Sequence, residues 1–231
     1  MRYAISNAKN QGFSPQDVEK NQPDYKGRVL AEVYSHYQNK LAANNALDFD
    51  DLILVPVRLF QQNESVLGYW YRQFQHILVD EYQDTNRIQY DLIRLLVTNG
   101  ETRKSEWNWR VSESNPKSCR SIFVVGDADQ SIYSFRMADF TILLEFQEDF
   151  GDGLPDEDTR TMVKLEENYR SRENILQAAN HLIENNTQRI DKILKATRGL
   201  GEQIYIHKAD DEVEEAQFVV NQIRRMEQQN P

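Results

Sequence analysis

Two carboxylates stand directly after a short apolar run, in Ile77-Leu78-Val79-Asp80-Glu81. A run of that length and character reads as a strand of a parallel sheet covered on both faces. Ligands of such sheets sit beyond the carboxyl ends of the strands, so the acidic pair faces a crevice rather than the core. Phosphoryl transfer uses residues placed in this way. One aspartate holds Mg²⁺, directly or through water, and a neighbouring carboxylate orients and deprotonates the attacking water. Asp80 fits the first role and Glu81 the second. The same pair also suits a helix N-terminus, where acidic side chains complement the macrodipole.

A second stretch, Val124-Val125-Gly126-Asp127-Ala128-Asp129-Gln130-Ser131-Ile132-Tyr133-Ser134-Phe135-Arg136, opens like another strand end and then offers a glutamine, two aromatics and an arginine. Gln130 can contact phosphate or water through its amide and relay a change of state along the loop. Tyr133 and Phe135, one residue apart, can present their rings on one side of an extended segment, where any nucleobase has a face to stack on. Arg136 would contact the backbone of the strand. Alternatively, both rings belong to the core of the next helix. A third stretch, Leu165-Glu166-Glu167-Asn168-Tyr169-Arg170-Ser171-Arg172, sets Arg170 at a strand-to-helix junction. There it can stabilise charge developing on a γ-phosphate, with Tyr169 stacking on a purine. The plainer reading pairs Arg170 and Arg172 with Glu166, Glu167 or Glu173 on a wet surface.

The elements that must position these residues follow from periodicity. Up to about Asn45 the chain reads as helical, with Tyr25, Val29, Leu30, Val33, Tyr34, Tyr37 and Leu41 forming one stripe taken as core. Before that stripe Ser14 is set to cap a helix with Pro15 at its first position. A helix starts at Asp48 or Asp50, and Pro56 is expected to kink it or end it early. Strands are expected at 75–79 and 121–125, with a helix through Ile88, Leu92, Leu95 and Leu96 between them. That is the strand-helix-strand pattern of a parallel sheet. The polar stretch 99–120 reads as a surface insertion and contains Cys119, Trp107 and Trp109. Further on, a helix is expected through Ile142, Leu143 and Phe146. An acidic loop at 149–158, strands at 162–165 and 203–206, and helices carrying Ile175 to Ile183 and Val213 to Ile223 complete the reading.

Taken together, Val-Asp-Glu-Tyr-Gln-Asp-Thr-Asn (79–86), Gly-Asp-Ala-Asp-Gln-Ser-Ile-Tyr-Ser-Phe-Arg (126–136) and Leu-Glu-Glu-Asn-Tyr-Arg-Ser (165–171) resemble, in order and spacing, the superfamily 1 DNA helicases of the UvrD/Rep/PcrA type. Asn-Ala-Leu-Asp-Phe-Asp-Asp-Leu-Ile (45–53) resembles the family's re-entry from its helical insertion domain into the first motor domain. The resemblance covers roughly residues 25–220. It implies an α/β fold, a RecA-like P-loop NTPase domain in which helices flank a parallel sheet, with part of a helical insertion domain. On that basis residues 1–45 end the insertion, 46–170 form the carboxyl part of the first motor domain, and 171–231 begin the second.

The resemblance also implies roles. Asp80 matches the Mg²⁺-associated aspartate, Glu81 the catalytic base, and Gln130 the glutamine that senses the γ-phosphate. Tyr133, Phe135 and Arg136 match DNA-contacting residues, with Phe135 at a position often held by Trp. Tyr169 matches the residue stacked on adenine, and Arg170 the arginine that reaches the γ-phosphate. Met137 stands where relatives usually have Gly. ATP and Mg²⁺ are the implied cofactors, and single-stranded DNA and 3′-tailed duplex DNA the implied partners. The implied activity is 3′–5′ translocation with duplex unwinding, in repair or replication. The competing class is a non-catalytic module that keeps the helicase shape to bind DNA or a partner.

The chain holds no G-x-x-x-x-G-K-[ST] phosphate loop, since Gly199-Leu200-Gly201 lacks the following lysine. The expectation is therefore an internal fragment of a larger helicase, inactive by itself as an ATPase. Its 231 residues suffice for one large or two small domains and exclude a disordered tail or a disulfide scaffold. One cysteine, no signal peptide and no apolar run near the roughly 20 residues of a membrane span point to the cytoplasm and away from a membrane. A net charge of −10 argues against a uniformly DNA-attracting surface, but the acid is concentrated. Between Asp139 and Glu167, ten acidic residues face only Arg160 and Lys164.

Overall fold

The computed structural model describes residues 1–100, 120–152, 154, 158–159 and 161–229. Cys119, Trp107, Trp109 and part of the acidic loop lie outside the described residues. The chain divides into two compact units, residues 1–164 with 186–191, and residues 165–185 with 192–231.

The first unit opens with α1 (Arg2–Asn10), α2 (Pro15–Asn21) and α3 (Tyr25–Ala43). Ser14 caps α2 as its type predicts. Its hydroxyl accepts the Asp17 N–H, the Asp17 carboxylate accepts the Ser14 N–H, and Pro15 takes the first turn, where no N–H is needed. The three helices share a small core of Ile5, Ala8, Val18, Ala31 and Tyr34. The stripe read on α3 is only partly core. Tyr34 is fully buried, but Tyr25, Val33 and Tyr37 are exposed, because one side alone of α3 docks on its neighbours.

Next come α4 (Asp51–Gln62) and α5 (Glu64–Gln73). Pro56 does not end α4, which continues for six residues beyond it. The cost of a proline in a helix interior is offset here by burial. Leu54, Val57 and Phe60 pack with Leu67, Ile88 and Leu95 into a second core, and that holds both halves of the helix in place.

The strand-helix-strand pattern is present as β1 (His76–Val79), α6 (Arg87–Thr98) and β2 (Ser121–Val124). The strands are parallel, with Ile77 opposite Ile122 and Val79 opposite Val124. Asn86 starts α6 with a reciprocal cap to Gln89, and Asn99 ends it in a left-handed conformation at φ 56°, which asparagine tolerates. Ile122, Tyr82, Tyr90 and Val97 form the third core. They pack with Ile142, Leu143 and Phe150 from the segment containing α7 (Thr141–Leu144) and α8 (Phe146–Asp149). The single helix expected after Asp139 is thus two short ones.

In the second unit, β3 (Glu167–Asn168) pairs in parallel with β4 (Lys195–Ala196), and α9 (Glu173–Ile183) and α10 (Glu212–Gln229) are its helices. Residues 162–165 and 203–206, expected as strands, are irregular. Their apolar residues fit a strand, yet among the described residues neither segment has a ladder partner, and Val163, Leu165 and Ile206 stand exposed. The architecture is mixed, with two small parallel sheets among helices. Among the described residues no helix is long and apolar enough to cross a membrane.

Candidate functional site

The β1–β2 ladder extends one step past the strands. Val125 N–H donates to Val79 O at 2.9 Å, and Tyr82 N–H donates back to Val125 O at 2.9 Å. These bonds fix the segment that holds the acidic pair. Asp80 Oδ1 accepts the Glu81 N–H at 2.9 Å, and Glu81 sits in the left-handed region at φ 51°, ψ 44°. A side chain other than Gly, Asn or Asp is uncommon there, and where it occurs the surroundings hold it in place. Tyr82 supplies part of that hold, fully buried with its ring edge-on to Phe146 at 5.7 Å. Burial also pushes its phenol well above the usual range.

Asp80 and Glu81 border a cleft of about 350 Å³ shared with Asp84, Thr85, Gln89 and Leu92. Asp84 Oδ1 is buried there without a hydrogen-bond partner. Hard carboxylate oxygens of this kind suit a divalent cation such as Mg²⁺, which takes one or two carboxylates and completes its shell with water and phosphate. Among the described residues no group of three or more His, Cys, Asp or Glu side chains is placed to cage a metal.

Gln83 joins this strand end to the next. Its Nε2 donates to Glu81 Oε2 at 2.8 Å, and its Oε1 accepts the Asp127 N–H at 3.0 Å. Asp127 in turn accepts from the Asp129 N–H and, at 2.6 Å, from Gln130 Nε2. Arg189 lies 3.4 Å from Asp129. Glu81 and Gln130, far apart in sequence, are thus connected through Gln83 and Asp127.

From Tyr133 on the loop is not extended. Ser134–Arg136 form a 3₁₀ turn closed by Met137 at φ 61°, and Tyr133 and Phe135 lie with centroids 5.8 Å apart, tilted by 58°. The two rings are 39% and 71% exposed, which sets aside the reading that buries them in a helix core. The Arg136 guanidinium sits 5.3 Å from the first ring and 5.6 Å from the second. Two exposed rings with a cation beside them form a surface suited to stacking bases.

Tyr169 and Arg170 belong to the second unit. Asn168 Oδ1 accepts the N–H groups of Arg170 and Ser171, and Arg198 Nη1 donates to Arg170 O at 2.9 Å, so the backbone of this turn is pinned. Among the described residues the Arg170 guanidinium makes no ion pair. It therefore does not take the surface pairing considered for it, whereas Glu166 pairs with Lys195 at 2.7 Å. Tyr169 is exposed, and its hydroxyl donates to the Glu167 carboxylate, which pushes the phenol above its ordinary value.

Gln83 and Asp127, which join the two strand ends, do not stand out in the sequence as site residues. The signal was a short polar side chain on each side of two strand ends, but residue type does not reveal that Gln83 is 1% exposed.

A family model described as the UvrD/REP helicase N-terminal domain matches residues 1–151, and one described as the UvrD-like helicase C-terminal domain matches residues 163–231. The chain is 41% identical over 222 residues to the ATP-dependent DNA helicase PcrA of Staphylococcus aureus. It is 40% identical over the same length to the protein of that name from Staphylococcus epidermidis. Each alignment covers 96% of this chain and 27% of the relative, so the chain spans about a quarter of the length of the curated relatives it matches.

Proposed function

Because this chain belongs to the UvrD/REP helicase family, we propose that it is the part of an ATP-dependent DNA helicase that carries the catalytic carboxylates, the single-strand contacts and an adenine-side turn. The domain assignment is residues 1–45 as the end of a helical insertion, 46–170 as the carboxyl part of a RecA-like motor domain, and 171–231 as the start of a second.

The reading rests on one observation above all. The carboxylate proposed as base and the glutamine proposed to sense phosphate are connected across the ends of two parallel strands, beside a loop bearing two exposed rings.

In this proposal Glu81 takes a proton from a water whose oxygen bonds to the γ-phosphorus as the bond to the β–γ bridging oxygen breaks. Asp80 would hold the metal, with the Asp84 carboxylate as a nearby acceptor in the same cleft. Bound Mg²⁺ supplies charge neutralisation on the phosphate oxygens. Gln130 reports the state of the γ-phosphate to the loop, Arg170 stabilises its charge, and Tyr169 stacks on adenine. Tyr133, Phe135 and Arg136 hold single-stranded DNA, which the enzyme follows 3′–5′ to open a 3′-tailed duplex in the cytoplasm. The chain by itself, without a Gly-rich phosphate loop in its sequence, is expected to turn over no ATP.

The test is Glu81→Gln in the full-length helicase. Nucleotide affinity should stay within about twofold while turnover falls about 10²–10⁴-fold, the usual contribution of a positioned base. A parent protein that binds DNA but shows no DNA-stimulated turnover would instead be a binding module.

A further inference from the structure

Gln83 is held at both ends of its side-chain amide. Its side chain is buried, and its amide orientation is not free. Only the carbonyl oxygen can accept the Asp127 N–H at 3.0 Å, so the NH₂ must face Glu81 Oε2 at 2.8 Å and, more weakly, Asp84 Oδ2 at 3.4 Å. Gly126 leaves the room this requires, since a Cβ there would come 2.8 Å from Gln83 Oε1. Ser131, just past Gln130, donates to the Gln83 carbonyl at 3.4 Å. The donor end of one side chain therefore holds a glutamate in a sparsely populated backbone conformation, while its acceptor end and its backbone are held by the loop 126–131.

We propose that Gln83 is a positioning residue that aims the Glu81 carboxylate and makes that aim depend on the loop leading to Tyr133 and Phe135. This rests on the reading of Glu81 as the base. A ligand on the ring pair that shifts this loop shifts the Asp127 N–H. The amide follows, because a buried side-chain oxygen cannot lose its donor without penalty. Movement of the amide carries its NH₂ group, and with it the carboxylate. DNA occupancy and proton abstraction are in this way linked through a single buried amide.

The experiment measures steady-state ATP hydrolysis by the full-length helicase, with and without an oligo-dT strand, for Gln83→Met, Gln83→Glu and Glu81→Gln. Gln83→Met should lower kcat with DNA by about 10–100-fold, the scale of a misplaced catalytic group. KM for ATP should stay near the parent value, and the ratio of stimulated to unstimulated rate should fall toward one.

Gln83→Glu keeps an acceptor for the Asp127 N–H but offers no donor to Glu81. Its carboxylate would also stand against Glu81 and Asp84, so a purely structural role predicts lower thermal stability with the ratio of stimulated to unstimulated rate unchanged, whereas the positioning role predicts a kcat loss as large as that of Gln83→Met and a ratio near one. Should Gln83→Met fail to fold, Gln83→Glu decides. If Glu81→Gln abolishes turnover while the Gln83 variants keep parent kcat and stimulation, the inference is overturned and the base assignment stands. If Glu81→Gln retains turnover, the base assignment falls and the inference with it.

Discussion

The Lys9 ammonium lies 2.8 Å from Asp51 Oδ1, and the two side chains are 0% and 1% exposed. Lys9 also meets Asp48 Oδ2 at 2.7 Å, and Gln38 Nε2 reaches Asp51 at 3.3 Å. One buried cation thus ties α1 to the start of α4, 42 residues on, at the stretch read as the entry to the motor domain.

Breaking this pair from one side strands a charge. Lys9→Met should therefore cost about 3–5 kcal/mol, because Asp51 remains buried as a charge with no cation, accepting from the Gln38 amide and the Asp48 N–H alone among the described residues. Urea unfolding of the chain checks this as a lower midpoint at unchanged slope. The double variant Lys9→Met/Asp51→Leu should regain much of the loss, since an apolar pair has no charge to desolvate.

The same cluster gives the first unit an acid-side weakness. Burial pushes the Asp48 carboxyl up, but the Lys9 ammonium, the Asp51 N–H contact and the Tyr37 hydroxyl together hold it below its ordinary value of 3.8. A carboxyl depressed on folding contributes stability that is complete above the unfolded value and is lost as pH falls through the folded one. Stability should thus be flat in this respect above about pH 5 and decline below 3.8. In Lys9→Met that part of the decline should shrink, which urea midpoints across pH would reveal.

Neither Lys9 nor Gln83 was legible as a key residue. The helices were, because apolar spacing on α4, α6 and α9 and the Ser14-Pro15 start state their own geometry. So was the acidic pair at a strand end, since an apolar run that stops at Asp-Glu locates itself. What could not be read was pairing across distance. Lys9 finds Asp51 only once α1 and α4 are packed, and residues 203–206 look like a strand until one asks what they would pair with. The left-handed turn at Glu81 was equally hidden, since glutamate gives no warning of positive φ.

Gly126 is where packing and chemistry meet. A methyl group there would stand 2.8 Å from Gln83 Oε1, 3.2 Å from Gln83 N and 3.3 Å from Leu143 Cδ2. Gly126→Ala should destabilise the first unit by about 1–3 kcal/mol, the usual cost of overpacking. It should also reduce turnover in the full-length helicase while leaving adenine-nucleotide affinity near the parent value. Thermal unfolding together with ATP hydrolysis separates the two effects, and a variant with parent stability would show that the Gln83 side chain has room to move.

Phe135 separates binding from folding. At 71% exposure it adds little to the core, but it forms half of the ring pair beside Arg136. Phe135→Ala should weaken single-stranded DNA binding by about 1–3 kcal/mol, the range for removing one stacking ring. The melting temperature should stay close to that of the parent. Fluorescence anisotropy with a labelled oligonucleotide reads the first and calorimetry the second, and unchanged DNA affinity would remove Phe135 from the interface.

Met137 closes the turn that holds these rings, and it does so at φ 61°, ψ 22°. An L-residue other than Gly, Asn or Asp is about 1–2 kcal/mol worse off in that region, because its Cβ crowds the following carbonyl. Glycine removes the crowding but enlarges the freedom of the unfolded chain, an opposing effect of about 0.4–1 kcal/mol. Met137→Gly should on balance stabilise the first unit by up to about 1 kcal/mol, equivalent to about 2–4 °C for a unit of this size. The Met side chain is half-buried, so a lower melting temperature in the variant would mean that its packing outweighs the backbone strain. If strain dominates, relieving it should also free the 3₁₀ turn at Ser134–Arg136, and oligonucleotide affinity should fall even as stability rises.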